Sequence, residues 1–341
     1  MKKKTASKKL NDHIKVLILM MVFVLILMAV LKGPVYYSVN NFRSMIFQFP
    51  EYGVLSFGMM VCMIAGGIDL SLVGIMNLGG VVCALLIKNA GVPIPLACLA
   101  SVAVGAGCGA LNGLIIGSLD IPAMLVTLCG LEVYSGLALA ITGGPAINGM
   151  SDSFKNIANG SIGSIPYVLF IFIGVLIVVA FIMKHTVFGH EVYFLGTNKQ
   201  AARYSGINTL RTTILAHTMS GILGGISGII ITSHLNSAKS SNGSTYTLLS
   251  LLIVVLGGIN PDGGGGTVAG VTFSIVLLQL IANAFTIMHA PDTLKTLVNG
   301  CLLVAALILD KVMQKRDMQK NSGVSGSDRK AEKQEGCQDG L

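Results

Sequence analysis

Asp69 and Glu132 lie inside stretches too apolar to hold a charge without a reason. Asp69 follows Ala65-Gly-Gly-Ile and precedes Leu70-Ser71, and Glu132 lies in Thr127-Leu-Cys-Gly-Leu-Glu-Val-Tyr. A charge at the centre of a membrane helix costs about 3 kcal/mol even on lenient insertion scales, so each one needs a role. At Asp69 the paired glycines let a helix unwind, and Asp69 or Ser71 can cap the helix that begins next. Capping is the leading reading and contact with a solute the second; both place Asp69 at a functional break. Glu132 can line a polar cavity, carry a proton, or pair with a neighbour such as Tyr134. Asn77, Asn112, Asn283 and Asn299 also fall mid-stretch. Hydrogen bonding between helices is the ordinary use of such amides, solute contact the minority one.

Other chemistry is missing from the sequence. The six histidines show no i, i+4 pairing, no H-E-x-x-H and no Ser-His-Asp arrangement. The seven cysteines give neither C-x-x-C nor a disulfide framework; six lie in apolar stretches and Cys337 in a polar tail. We therefore expect no metal site, no cofactor and no catalysis in this chain. The Gly263–Gly266 run lacks the Lys-Ser/Thr of a phosphate-cradling loop, so ATP-driven work would need a separate ATPase holding both ATP and Mg.

The elements that must position these residues are apolar helices. Of 341 residues, 53% are hydrophobic and 11% charged, and mean hydropathy is +0.77. Glycine is abundant at 42 residues, as expected where membrane helices pack through small side chains. About ten stretches are apolar enough to span, at roughly 16–31, 47–65, 68–87, 94–117, 121–142, 166–183, 212–233, 246–259, 267–288 and 293–310. The first is basic then apolar like a signal peptide, but Lys32-Gly-Pro follows it instead of a small-residue cleavage site, so it counts as a span.

The net charge of +8 is not a nucleic-acid footprint. Lys and Arg gather in the first 15 residues, around 184–211, and after 310. Positive loops stay on the cytoplasmic side, and ten crossings place all three regions there. The expected organisation is a basic cytoplasmic tail at 1–15, a transmembrane domain at 16–312 containing a cytoplasmic loop at 184–211, and a polar, disordered cytoplasmic tail at 313–341. Of the external loops only 143–165 and 234–245 are long, the first long enough for a small helix. Neither makes a ligand-binding domain, so capture of a dilute solute would belong to another chain.

The segment 188–208 is the long polar interruption. Thr197 and Asn198 can cap a helix of about two turns over Lys199–Ser205, and Gly206 suits the left-handed residue that closes it. So short a helix is marginal in water, which points to a docking surface. The halves also echo one another: Val61-Cys-Met-Ile-Ala-Gly-Gly-Ile-Asp matches Ile253-Val-Val-Leu-Gly-Gly-Ile-Asn. Helices broken at matched places point to a translocation site.

Four stretches in this order resemble the membrane permease subunits of ATP-binding-cassette sugar importers of the ribose, xylose, arabinose and galactose type. They are Gly67-Ile-Asp-Leu-Ser, Pro122-Ala-Met-Leu-Val-Thr-Leu running to Thr142-Gly-Gly-Pro-Ala-Ile, Phe188-Gly-His through Ala201-Ala-Arg-Tyr-Ser-Gly-Ile-Asn208, and Val254-Val-Leu-Gly-Gly-Ile running to Gly264-Gly-Gly-Thr-Val-Ala-Gly270. The resemblance covers roughly 50–310. Leu72 is an added residue before Val73-Gly74, and Ser135-Gly136, Gly265 and Ala282-Asn283-Ala284 also depart from the usual pattern.

The resemblance implies an all-α polytopic membrane protein of about ten transmembrane helices, of the type II ABC importer kind. It would be a multi-pass protein of the bacterial plasma membrane, with both termini cytoplasmic. Its implied partners are an ABC ATPase subunit, an extracytoplasmic substrate-binding protein, and a second permease copy or paralogue. The solute would be a small sugar, with a ribose-like pentose first and nucleosides, autoinducer-2 and branched-chain amino acids carried by related permeases. Asn198, Lys199, Ala201, Ala202, Arg203, Tyr204, Ser205 and Gly206 would form the ATPase-coupling helix, with Arg203 an ion-pair donor and Ala201, Ala202 and Tyr204 its contact surface. The translocation-path candidates are Asp69, Ser71, Asn77, Thr127, Glu132, Gly257 and Gly258. Two rivals remain: a proton-coupled secondary transporter using Glu132 or Asp69, and an assembly subunit with no pathway.

Overall fold

The computed structural model describes residues 2–308 apart from 164 and 292, with side chains from Ile14 onward. The C-terminal basic cluster, the 313–341 tail and Cys337 lie outside the described residues. The chain is mostly helical. Helix α1 (Lys2–Tyr36) kinks at Lys32, where Pro34 removes a helical hydrogen bond, and α2 (Val39–Ile64) follows. Then follow α3 (Leu72–Lys88), α4 (Ile94–Leu119), α5 (Ala123–Thr142) and the eight-residue α6 (Asp152–Asn159). The second half holds α7 (Tyr167–His185), α8 (Val187–Thr197), α9 (Lys199–Tyr204), α10 (Thr209–Leu235), α11 (Tyr246–Leu256), α12 (Val268–Ile287) and α13 (Thr293–Ile308).

Each apolar stretch of the sequence is a helix. Among the described residues seven helices are long and apolar enough to cross a membrane, and α3, α11 and α13 are shorter apolar helices. The chain is thus a multi-pass membrane protein. The stretch read as 68–87 begins as a helix only at Leu72, because the chain leaves helical geometry at Ala65–Ser71.

The middle of the bundle is α10, which packs on α4, α2 and α3. In lipid no hydrophobic force draws helices together, so close backbone approach must do it. On α4, Gly105, Gly109, Gly113 and Gly117 recur every fourth residue and form a groove for α10; a Cβ on Gly113 would come within 2.6 Å of the Ile214 Cα. Above this seam, α2 is buried from Pro50 to its end, with the Phe57 and Phe172 rings stacked at 5.6 Å.

One end of the bundle is closed by α6 and by two-residue strand pairs, β1 (Ile147–Asn148) with β4 (Ser237–Ala238) and β2 (Ser161–Ile162) with β3 (Ile165–Pro166). These pairs are small additions to the all-α expectation. Ser233 pins α6 there, accepting from the Ala158 N–H at 3.0 Å. The opposite end carries α8 and α9.

The echo between the halves is visible in the backbone. The α2 helix closes with Gly66 N–H to Met63 O and Gly67 N–H to Cys62 O, and α11 with Gly258 N–H to Val255 O and Ile259 N–H to Val254 O. Both are Schellman closures around a left-handed glycine, Gly66 (φ +93°) and Gly258 (φ +81°). Each is followed by a side chain accepting from the backbone two residues on: Asp69 from Ser71 N–H, and Asn260 from Asp262 N–H, both at 3.0 Å. The two halves break their helices by the same local chemistry.

Candidate functional site

Helix α9 is built as its sequence predicts, one residue shorter than expected. Asn198 caps it, its side chain accepting from the Ala201 N–H at 2.9 Å. Ser205 is the C-cap, and Gly206 (φ +83°) and Ile207 donate back to Arg203 and Ala202. Thr197 does not cap it; its hydroxyl donates to Tyr193 O as the last residue of α8. That preceding helix is a departure from the expected polar loop. Thr186 starts it, accepting from the Gly189 N–H at 3.2 Å, and Val192 and Leu195 bury one face against the bundle.

Within α9 only Ala202 is buried; it anchors the helix to the chain itself, which corrects its assignment to an outward contact surface. Lys199, Ala201, Arg203, Tyr204, Ser205 and Gly206 are exposed, Tyr204 to 91%. Arg203 and Tyr204 are thus consecutive exposed side chains on a capped helix. Replacing Asn198 by alanine should cost about 1 kcal/mol of helix stability. Faster amide hydrogen exchange confined to Lys199–Tyr204 is the measurement that checks it.

The Asp69 break is a hub within the bundle. Asp69 is fully buried; one oxygen accepts from the Ser71 N–H and hydroxyl (3.0 and 2.6 Å), the other from the Ser220 hydroxyl at 2.7 Å. Ser71 in turn accepts from the Asn112 amide at 2.8 Å, and the Asn112 oxygen accepts from the Tyr134 hydroxyl at 2.7 Å. Thr127 donates to Ile68 O at 2.9 Å and so fastens α5 to the same break. One relay therefore joins α10, α3, α4 and α5. Ser71 sits at the N-cap of α3 without making a side-chain cap bond, so Asp69 organises the break rather than capping the helix.

Of the translocation-path candidates, Asp69, Ser71, Asn77, Thr127 and Gly257 are buried within the chain. Asp69, Ser71, Asn77 and Thr127 each hydrogen-bond within the chain, and Gly257 packs against backbone. Asn77 donates to Ser240 O at 2.8 Å, and a Cβ on Gly257 would lie 2.8 Å from the Val271 Cα. Gly258 is exposed, and so is Glu132, at the midpoint of α5. Its expected partner Tyr134 points the other way, into the Asn112 relay. Beside it, between α4 and α5, lies an apolar cavity of about 320 Å³ edged by Asn112, Leu125, Cys129, Val133 and Tyr134.

Residues 41–307 match the family described as branched-chain amino acid transport system / permease component. The chain belongs to this family. It is 31% identical over 276 residues to the autoinducer 2 import system permease protein LsrC of Yersinia enterocolitica, covering 81% of this chain and 76% of that one. It is 29% identical over 263 residues to the L-arabinose transport system permease protein AraH of Escherichia coli, with 77% and 80% covered. It is 28% identical over 291 residues to the ribose import permease protein RbsC of Bacillus subtilis, with 85% and 90% covered.

Two features of this permease escape a sequence reading. The first is Glu51, 3% exposed in α2, whose carboxylate pairs with His234 at the end of α10 and accepts from the Tyr246 hydroxyl at 2.8 Å at the start of α11. Beside it the Tyr52 hydroxyl meets Gln279 of α12. The second is Asp120, in the turn from α4 to α5, which pairs with Lys199 of α9. The Lys199 hydrogen bond, then its charge, then the charge of Arg203 hold the Asp120 carboxyl below the usual carboxylate range. A depressed carboxyl keeps its charge at neutral pH, so this exposed link is intact there and is lost only as pH falls through that lowered value. The sole sequence signal for either was a carboxylate inside or at the edge of an apolar stretch.

Proposed function

We propose that this permease is the membrane subunit of an ATP-driven importer that passes a monosaccharide, a ribose-like pentose first, from an external binding protein to the cytoplasm. The observation that carries the proposal is α9: a capped helix with Arg203 and Tyr204 presented outward, in a chain of a permease family. On this reading α9 seats in a partner ATPase that holds ATP and Mg. The chain crosses the membrane ten times in the type II importer arrangement, α3, α11 and α13 spanning in the shelter of neighbouring helices. The cytoplasmic side holds α9, Asp120 and both termini; the opposite end, with α6 and the strand pairs, receives the binding protein.

Glu132 supports a second permease copy or a close paralogue. A carboxylate exposed at the middle of a span cannot face hydrocarbon cheaply, so its face of α5 borders water or a partner. The solute path then runs between two permeases, with Glu132 on its edge and the Asp69 hub behind the wall. The names of the similar permeases favour a sugar or autoinducer-2 over a branched-chain amino acid.

The test is gentle pull-down of the tagged permease with its neighbours, then uptake into proteoliposomes of labelled ribose, arabinose, autoinducer-2 and a nucleoside. ATP-dependent uptake of ribose is expected. Glu132→Gln should retain that uptake and leave it indifferent to a protonophore. Uptake that runs without ATP and collapses with the proton gradient would instead establish a secondary transporter, and no uptake in any arm would favour an assembly subunit.

A further inference from the structure

A membrane helix that stops inside the bundle must find partners for its last four carbonyls, because no water is there to take them. In α2 all four are accounted for. Val61 O accepts from Ala65 at 3.1 Å, Cys62 O from Gly67 and Met63 O from Gly66 at 3.0 Å. The fourth, Ile64 O, accepts at 2.9 Å from the N–H of Gly264, in the glycine run that follows the matching break after α11. The two breaks are therefore joined backbone to backbone.

A third segment is wedged into this contact. Gly196, the penultimate residue of α8, lies so close that a Cβ there would overlap the Ile64 carbonyl oxygen. A Cβ on Gly263 would fall 2.8 Å from the Gly66 Cα and 2.7 Å from the Gly196 oxygen, and one on Gly264 would fall 2.7 Å from the Thr197 Cα. From one turn back on α8, the Tyr193 hydroxyl donates to Gly266 O at 3.0 Å and holds the glycine run against the helix. Two residues beyond Gly196, Asn198 begins α9.

Side chains absorb small displacements by changing rotamer; three touching backbones have no rotamers to change. A shift of α8 and α9 must be passed on. The residues that can yield are the left-handed glycines of the two breaks, Gly66 (φ +93°), Gly263 (φ +93°) and Gly264 (φ +72°), whose backbones tolerate wide changes in dihedral angle. We propose that the Gly196–Gly263–Gly264 junction is the joint through which displacement of α9 reaches both helix breaks, with Tyr193 the residue that positions it. This rests on the reading of α9 as the ATPase-docking helix.

The test uses the full complex, permease with its ATPase subunits in nanodiscs, comparing hydrogen exchange with and without ATP and vanadate in peptides covering 65–72 and 257–268. In the wild-type complex both breaks should change exchange when nucleotide is trapped. Tyr193→Phe removes one hydroxyl and keeps the ring; ATPase recovery in the pull-down should be unchanged while the nucleotide-dependent exchange difference shrinks about threefold. Gly264→Ala should reduce it about tenfold. A purely structural role would alter basal exchange and leave the nucleotide-dependent difference intact, and that result in Tyr193→Phe overturns the joint. If Gly264→Ala fails to accumulate, Tyr193→Phe decides alone. A wild-type permease that recovers no ATPase overturns the docking reading and the joint with it, whereas a normal wild type beside unaffected variants overturns the joint alone.

Discussion

The Arg203→Glu permease should insert and fold normally and yet lose ATP-driven uptake, by roughly thirtyfold or more. Arg203 is exposed at the last turn of α9, so its removal breaks no packing, and exposed substitutions of this kind change stability by only about 0.5 kcal/mol. Docked in a partner, the same guanidinium is desolvated and paired. Reversing its charge then leaves the partner's group unpaired and adds repulsion, a loss of about 2 kcal/mol or more. A carboxylate near a helix C-terminus also opposes the helix dipole by about 0.5 kcal/mol, so Arg203→Gln is the control that separates docking from fraying. The measurements are ATPase recovery in the pull-down and uptake per permease in proteoliposomes, with thermal unfolding in detergent as the folding check. Uptake equal to wild type would remove Arg203 from the ATPase interface.

Asp69→Ala should destabilise the permease by about 1–3 kcal/mol for each buried donor left without an acceptor, enough to cut the yield of folded protein sharply. The Ser71 N–H, the Ser71 hydroxyl and the Ser220 hydroxyl would lose their acceptor in a fully buried position. The damage would spread, because Ser71 holds Asn112 and Asn112 holds Tyr134. Asp69→Asn keeps an acceptor oxygen for Ser71, and the Ser220 hydroxyl can rotate to meet the new amide, so it should fall between wild type and alanine. Unfolding temperature and monodisperse yield are the readouts. A variant of wild-type stability with altered solute preference would instead put Asp69 in contact with the solute.

What could be read in advance divides by range. Helix α9 was legible because capping is local: Asn198 reaches Ala201, three residues on, and Gly206 needs only its own backbone angle. The α2–α3 break was legible for the same reason, since two glycines and an aspartate within five residues carry it. Helix α8 is not evident in sequence because it falls almost wholly within the polar segment 188–208 and two glycines interrupt it, and the burial of Val192 and Leu195 comes only from the bundle they meet. Glu51 was overlooked although it stands in an apolar stretch, since nothing near Pro50-Glu51-Tyr52 marks a pair formed with residues 183 and 195 positions away. Glu132 and Asp69 look alike in sequence, yet one is exposed and the other sealed, because the side of a helix that meets a neighbour depends on where the neighbours are.

Composition and local order sufficed to mark this chain as a helical membrane protein, to place its apolar helices and the breaks in two of them, and to locate a short capped helix. Lipid leaves the backbone almost no alternative to helix, and caps and glycine closures act within a few residues, so these features follow from composition and local order. The folded chain alone shows that Asp69, Ser71 and Thr127 are buried and bonded across helices, that Glu51 and Asp120 are paired, and that both breaks meet the end of α8 at one glycine junction. Those outcomes depend on contacts between residues far apart in the chain, and packing alone brings them together.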